Sequence, residues 1–542
     1  MEGIANYLDS LIGGVDLTFY SIVIGGLMWG IVALRPWQDE TLYNSILLNK
    51  TVNLIHFGSK ALVITQLSKI GLKIWLMAAT LGKSPFPAFF ETIQFQAGLI
   101  RAIFAFVLAI FIRQVLIDRP RSKANWLIAC AIIIPLVLSG AWLVHGASRL
   151  EDRGFLMTLT VIHQIASAIW VGGIFQLILI WRLKSRNLIA TEIWPQSLKR
   201  FSSLGIPAVL ILLVSGTPLA WYYIRTFSGF IGAGYGNLLM VKIIMMTLAL
   251  GFAVANRRAV TEYYRNRSLY ILTARIPYYI ETETLILLVI LFTAASLASQ
   301  PPAFDIPHLT ASWQEVLNMF HPRIPRWESP THEALLAGEP GRIAIVGQIP
   351  SEAATAWSDY NHNIAGIFLT IMSFFAMLSY SSRFLWAKYW PVGFMLLGVF
   401  LFFRSDAESW PLGPIGFWDS TFNNGEILQH RIATFLVFGL GLLETKARVK
   451  NNQGSLPYFF PLLAAFGGMM LLAHSHVGFE AKTAFLIQVG HTMMGVFSLI
   501  LACGRWLELK LDYPGKNYAG FISVFALFQI GVILMFYREP LY

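Results

Sequence analysis

Charge and cysteine are what this chain has least of. Only 13% of its 542 residues are charged, against about 25% in an ordinary soluble domain. Hydrophobic residues make up 56%, with a mean hydropathy of +0.61. A water-soluble globule of this length could not cover so much apolar surface. Lipid is the solvent that removes the problem. The two cysteines, Cys130 and Cys503, lie inside apolar runs and give no CxxC pair and no disulfide framework. HExxH, GxSxG and Gly-rich phosphate loops are missing, so nothing points to a hydrolytic enzyme and the chain reads as non-enzymatic. A basic n-region is also missing. Glu2, Asp9 and Asp16 precede the first apolar run, which therefore reads as a membrane span and not as a cleaved signal peptide.

What is present is a succession of apolar runs. A span needs about 20 mostly apolar residues, and roughly fourteen such runs occur. They lie near 17–36, 54–80, 93–116, 125–146, 156–181, 202–224, 237–256 and 281–299, then 361–380, 385–403, 427–445, 457–474, 484–507 and 518–537. The fold expected is an all-α, polytopic transmembrane helical bundle. Between the groups, residues 301–360 read as a linker rich in proline and polar residues, with a short amphipathic piece, 311–320, suited to a membrane surface. The expected organisation is an eight-helix domain (1–300), this linker, and a six-helix domain (361–542). No internal repeat is visible.

The net charge is +11, but its lysines and arginines sit in short loops between spans. That is a topology bias and excludes nucleic acid as a partner; the partner is the lipid bilayer. With fourteen spans, the strongest basic loops (113–123, 182–200, 257–275, 383–388, 446–450 and 505–516) share one side, which is then cytoplasmic. Both termini and the linker fall on the other, periplasmic side of a bacterial inner membrane.

The eleven histidines are one-sided under this topology. Only His56 falls near the cytoplasmic face. His145, His163, His362, His430, His474, His476 and His491 end, open or lie about two turns inside spans from the outer side. Imidazole is a common ligand for copper, zinc and iron, so these seven are the candidate metal ligands. Short loops make consecutive helices neighbours, which pairs His145 with His163, and His474 or His476 with His491. The structural alternative for each is a hydrogen-bonding histidine between helices.

Other polar residues inside spans need partners. Lys69 is close to mid-membrane and Lys242 lies in the outer half of its span. Snorkelling is the simple reading for Arg101. Glu281 and Glu283 read as carboxylates at a helix N-terminus. The aromatic loop 410–418 reads as an interfacial anchor, or as a cap over an outer-face site.

The run Val161-Ile162-His163-Gln164-Ile165-Ala166-Ser167-Ala168-Ile169-Trp170-Val171-Gly172-Gly173 resembles the signature helix of the copper resistance D family. His145-Gly146-Ala147 upstream is similar to that family's preceding motif. Ser215-Gly216, Tyr235-Gly236 with Leu239 and Lys242, Asn256-Arg257 and Gln300-Pro301-Pro302 fall where the pattern expects them. The resemblance covers roughly 1–302, with the remainder as the membrane extension of longer members. It implies an inner-membrane protein of copper homeostasis, with His145 and His163 as carried-over ligands and Lys242 as a motif position. The partners it implies are the copper ion and a periplasmic copper carrier. The chain departs from the family in lacking a fused periplasmic copper-binding β-domain and dense Met and His runs. Met157 is among the few methionines near outer histidines. Thioethers favour Cu(I), so a mostly histidine set leans toward Cu(II), another metal or haem.

Copper transport or homeostasis is the leading expectation. A haem b electron-transfer subunit, with His163 and His491 as axial candidates, and an accessory or assembly subunit of a respiratory or other metalloenzyme complex are the alternatives.

Overall fold

The computed structural model describes residues 2–37, 44–82, 84–338, 351–473 and 481–540. In hydrocarbon every backbone N–H and C=O must be paired within the protein, and helices meet that demand locally. Among the described residues, fourteen helices are long and apolar enough to cross a membrane. They are α1 (Gly3–Leu34), α2 (Ser45–Leu81), α3 (Ile93–Leu116), α4 (Lys123–Leu143), α5 (Arg153–Ser185), α6 (Ile193–Ile224), α7 (Gly234–Asn266) and α8 (Ile276–Asp305). Then come α9 (Glu352–Leu378), α10 (Leu385–Arg404), α11 (Gly425–Val449), α12 (Leu456–Ala473), α13 (Ala481–Lys510) and α14 (Gly515–Met535). The protein is an all-α, multi-pass membrane protein, as the apolar runs require.

The chain packs as two compact units. One comprises Asp9–Tyr223 and Met246–Ala298; the other comprises Met1–Leu8, Ile224–Met245 and Ser299–Tyr542. We call them the N-terminal and C-terminal units.

In the N-terminal unit α1 starts well before its apolar run and carries two acids into the bundle. Asp9 pairs with Lys73 at 3.3 Å and Lys69 at 3.8 Å, which answers the mid-membrane lysine. Arg101 does not snorkel. It is only 5% exposed and pairs with Asp16 at 3.1 Å. Asp16 also accepts from Thr65 Oγ1 at 2.7 Å and Gln66 Nε2 at 2.6 Å. A buried cation survives only where its charge and its donors are both answered, and here three helices supply the answer. Gly25 and Gly172 lie backbone to backbone at the α1–α5 crossing, where a Cβ on either would overlap the other helix. Small residues permit such close approach.

In the C-terminal unit the amphipathic piece of the linker forms a short helix, Trp313–Met319, with a capping box between Ser312 and Glu315. It docks on α13 instead of lying on a membrane surface. Ala311 and Val316 are buried with Phe485, Leu486 and Val489, and Glu315 pairs with Lys482 at 2.5 Å. At the opposite end of α13 a buried network ties three segments together. Glu444 accepts from Arg448 at 2.7 Å and Arg505 at 2.8 Å, and Arg505 also reaches Glu508 at 2.9 Å. Tyr380 donates to Glu508 at 2.8 Å; burial and that carboxylate hold its phenol above the ordinary range.

Candidate metal-binding site

In the N-terminal unit His163 projects from α5 onto α6. Its Nδ1 lies 3.1 Å from Ser215 Oγ. Its ring fills the space beside Gly216, where a Cβ would stand 2.9 Å from the imidazole Cε1. Ser215 Oγ donates to the Ile211 carbonyl at 2.6 Å, so the hydroxyl's remaining role toward His163 is to accept. That places the proton on Nδ1 and the ring's lone pair on Nε2. Two residues singled out as a short motif are therefore the seat of the signature histidine. His145 opens the turn His145–Ser148, and its ring stands edge-on to Tyr223, with centroids 6.1 Å apart. Met157 is half-buried on α5, six residues before His163.

In the C-terminal unit two histidines from distant parts of the chain come together. His362 of α9 and His491 of α13 have ring centroids 5.7 Å apart at 81°. His362 Nδ1 lies 2.9 Å from the Ser358 carbonyl, and His491 Nδ1 lies 3.0 Å from the Ile487 carbonyl. A carbonyl can only accept, so each neutral ring carries its proton on Nδ1 and its lone pair on Nε2. Metal-ligating histidines are commonly oriented in this way.

The residues after α14 hold the pair. Tyr537 stacks on His362 at 4.1 Å and 28°, and its centroid is 6.1 Å from that of His491. Its hydroxyl donates to Glu539 at 3.0 Å. Burial and that carboxylate push the phenol well above its ordinary range, so it stays a neutral donor. The stretch is stitched to α9 by Glu539 N–H to Asp359 at 2.8 Å and by Asn363 Nδ2 to the Tyr537 carbonyl at 3.0 Å.

His430 lies in the second turn of α11 and bonds through Nδ1 to Asp406 at 2.7 Å, a carboxylate–histidine pair of the kind that orients metal ligands. Asp406 also accepts from Ser405 Oγ at 2.8 Å. The aromatic loop covers this end. Arg431 donates to the Trp410 carbonyl at 2.7 Å, and its guanidinium lies 4.8 Å from the Phe417 ring and 5.4 Å from that of Phe402.

His474 and His476 lie outside the described residues. Lys242 is half-buried on α7, with no ion-pair partner among the described residues. His163 and His491, the haem candidates, belong to different compact units. Among the described residues, no three His, Cys, Asp or Glu side chains form a group able to hold a metal ion. What the described residues offer is oriented single histidines and one histidine pair.

The sequence reading missed Glu283. It does not sit at a headgroup-level helix end but is fully buried. It accepts from Trp170 Nε1 and from Asn256 Nδ2, each at 3.0 Å. Trp170 and Asn256 both stand in the motif stretches, so the signal was present without its partner.

Comparison with known proteins bears on the middle of this arrangement. Residues 195–297 match the family model for copper resistance protein D. The chain carries a copper resistance D region. That region includes Ser215, Gly216, Lys242, Asn256 and Glu283, whereas His145, His163 and Trp170 precede it. The chain is also 28% identical over 165 residues to the copper transport protein CutJ of Bacillus subtilis (strain 168). That match spans 30% of this chain and 30% of the relative. No solved structure matches. The chain is thus a multi-pass membrane protein related to copper-handling proteins.

Proposed function

We propose that this protein takes up copper through histidines at the periplasmic face of a bacterial inner membrane and moves or delivers it inward. The observation that carries the reading is the His362–His491 pair. A metal–nitrogen bond of about 2.0 Å puts an imidazole centroid about 3 Å from the ion, so two rings on one ion stand roughly 5 to 6 Å apart. The 5.7 Å separation falls in that range. The pair, with Tyr537 as its wall, serves as the capture site. His430, oriented by Asp406, and His163, seated on Ser215 and Gly216, serve as further stations, and His145 is a further candidate ligand. Copper is the cargo because the copper resistance D region and the CutJ relative both point to it, and imidazole suits it. The positive charge of the opposite loops sets both termini outside. A periplasmic copper carrier is the partner that would load the pair.

The test is metal content and a visible spectrum on detergent-purified protein. The expected result is copper on the wild type, a loss of about one equivalent in His362→Ala/His491→Ala, and no Soret band. Unchanged copper in that variant removes the capture site. A Soret band with no copper makes the protein a haem carrier.

A further inference from the structure

Glu283 lies on α8 between Ile276 and Ser299, about 10 Å from the start of the helix at 1.5 Å per residue. Its two oxygens meet only neutral donors: Trp170 Nε1 on α5 at Oε1 and Asn256 Nδ2 on α7 at Oε2. No described residue forms an ion pair with it. The charged and titratable groups of the surrounding helices are placed elsewhere. On α8, Glu281 is half-buried and Tyr279 packs on Phe252 of α7 with centroids 5.6 Å apart. On α7, Arg257 and Arg258 are exposed. On α5, His163 is seated on Ser215 and Gly216, and Arg182 and Lys184 stand in the last turn. On α1, Asp16 is committed to Arg101.

A second observation points the same way. Asn256 is 9% exposed, and its Oδ1 is buried without a hydrogen-bond partner. The site therefore holds one carboxylate and one spare amide oxygen, both acceptors, with no cation among the described residues to satisfy them. An ionised carboxylate in an apolar interior is costly without a counter-charge. A metal is a poor answer: copper prefers nitrogen and sulfur ligands, and hard cations need about six oxygens. A proton is the ligand that fits.

We infer that Glu283 is an intramembrane proton-binding site whose proton exchanges as the protein moves its cargo. In the loaded state the carboxyl is a neutral acid, and the Asn256 carbonyl oxygen is at hand to accept its O–H after rotation of the amide. On release the O–H bond breaks, the electron pair stays on the carboxylate, and the proton passes to water. Trp170 N–H and Asn256 N–H then hold the anion, since hydrogen bonds to the charged form favour it. Burial favours one state and the two donors favour the other, which is what a reversible site needs. Trp170 and Asn256 are positioning residues for the proton. The coupling to cargo rests on the copper reading; the proton site itself does not.

Infrared difference spectroscopy separates the two. The wild type should show the carbonyl stretch of a protonated carboxylic acid at neutral pH, absent from Glu283→Gln. Trp170→Phe keeps the acid but removes one donor to the anion, so the band should persist to more alkaline pH than in the wild type. Identical spectra for wild type and Glu283→Gln from acid to alkaline pH, with Trp170→Phe unchanged, overturn the proton site. In proteoliposomes with an entrapped pH dye, copper entry should carry a proton signal that Glu283→Gln abolishes. Copper entry without any proton signal overturns the coupling. If the wild type moves no copper while the acid band is present, the copper reading fails and the proton site stands.

Discussion

Asp16→Ala is the substitution whose cost the structure sets most tightly. It strips Arg101 of its partner at 3.1 Å, with both side chains almost wholly buried. A guanidinium cannot shed its charge, so the variant is left with an uncompensated cation between helices. Breaking a buried pair in this way costs about 3–5 kcal/mol. Thr65 and Gln66 lose their acceptor as well, at about 1 kcal/mol each. The remaining bond from Arg101 to the Leu136 carbonyl, at 3.3 Å, is long and neutral. Arg101→Met is the milder change, because an aspartate keeps its two donors and can escape by taking up a proton, at about 4 kcal/mol or less at pH 7. The double variant, with no buried charge, should recover most of the Asp16→Ala loss, so that the coupling in the cycle is about 3 kcal/mol or more. Equilibrium unfolding in mixed micelles, followed by tryptophan fluorescence, measures all four corners. Additive single losses, or an Asp16→Ala penalty below about 1 kcal/mol, would refute the assignment of this pair as the charge lock of the N-terminal unit.

Three further outcomes follow from the geometry. Gly216→Val should push His163 off its seat and lower copper transport to the level of His163→Ala, at a stability cost of about 1–3 kcal/mol; transport unaffected by the valine would show that His163 needs no seat. Tyr537→Phe keeps the ring on His362 and should leave copper affinity nearly unchanged, whereas Tyr537→Ala should weaken it several-fold, as read by equilibrium dialysis. Glu315 is held below its ordinary 4.5 chiefly by Lys482, then by the Ser312 backbone. A lowered carboxyl pKa adds stability above the unfolded value and loses it as pH falls through the folded one. The helix Trp313–Met319 should therefore loosen on α13 below about pH 4.5. For so exposed a pair the effect is under about 1 kcal/mol, and hydrogen exchange at 311–320 should show it, with Lys482→Ala reducing the pH dependence to the part that Ser312 supplies.

The spans were legible because hydrocarbon demands long apolar runs, and those runs lie on the surface of the text. The start of α1 was not, because Asp9 and Asp16 look like loop residues until Lys69, Lys73 and Arg101 are seen opposite them. Each partner stands more than 45 residues away, beyond the reach of any sliding window. For the histidines, adjacency of consecutive helices proposes His145 with His163 and His474 or His476 with His491, of which His474 and His476 lie outside the described residues. The pairing observed, His362 with His491, joins α9 to α13, and its tyrosine wall comes from the residues after α14. Glu283 was read as a helix-end carboxylate because its two neighbours on the chain suggest nothing else. Burial of that side chain is decided by α5 and α7, and only the motif positions Trp170 and Asn256 hinted that something polar faced them.

The proposed uptake requires copper to cross the membrane by way of the histidine pair. Copper flux into proteoliposomes, measured side by side for wild type and His362→Ala/His491→Ala at equal protein insertion, tests it. Time-dependent entry is expected for the wild type and a loss of at least about tenfold for the variant, equivalent to about 1.4 kcal/mol or more of lost capture. Equal flux through both proteins, or none through the wild type, would contradict it.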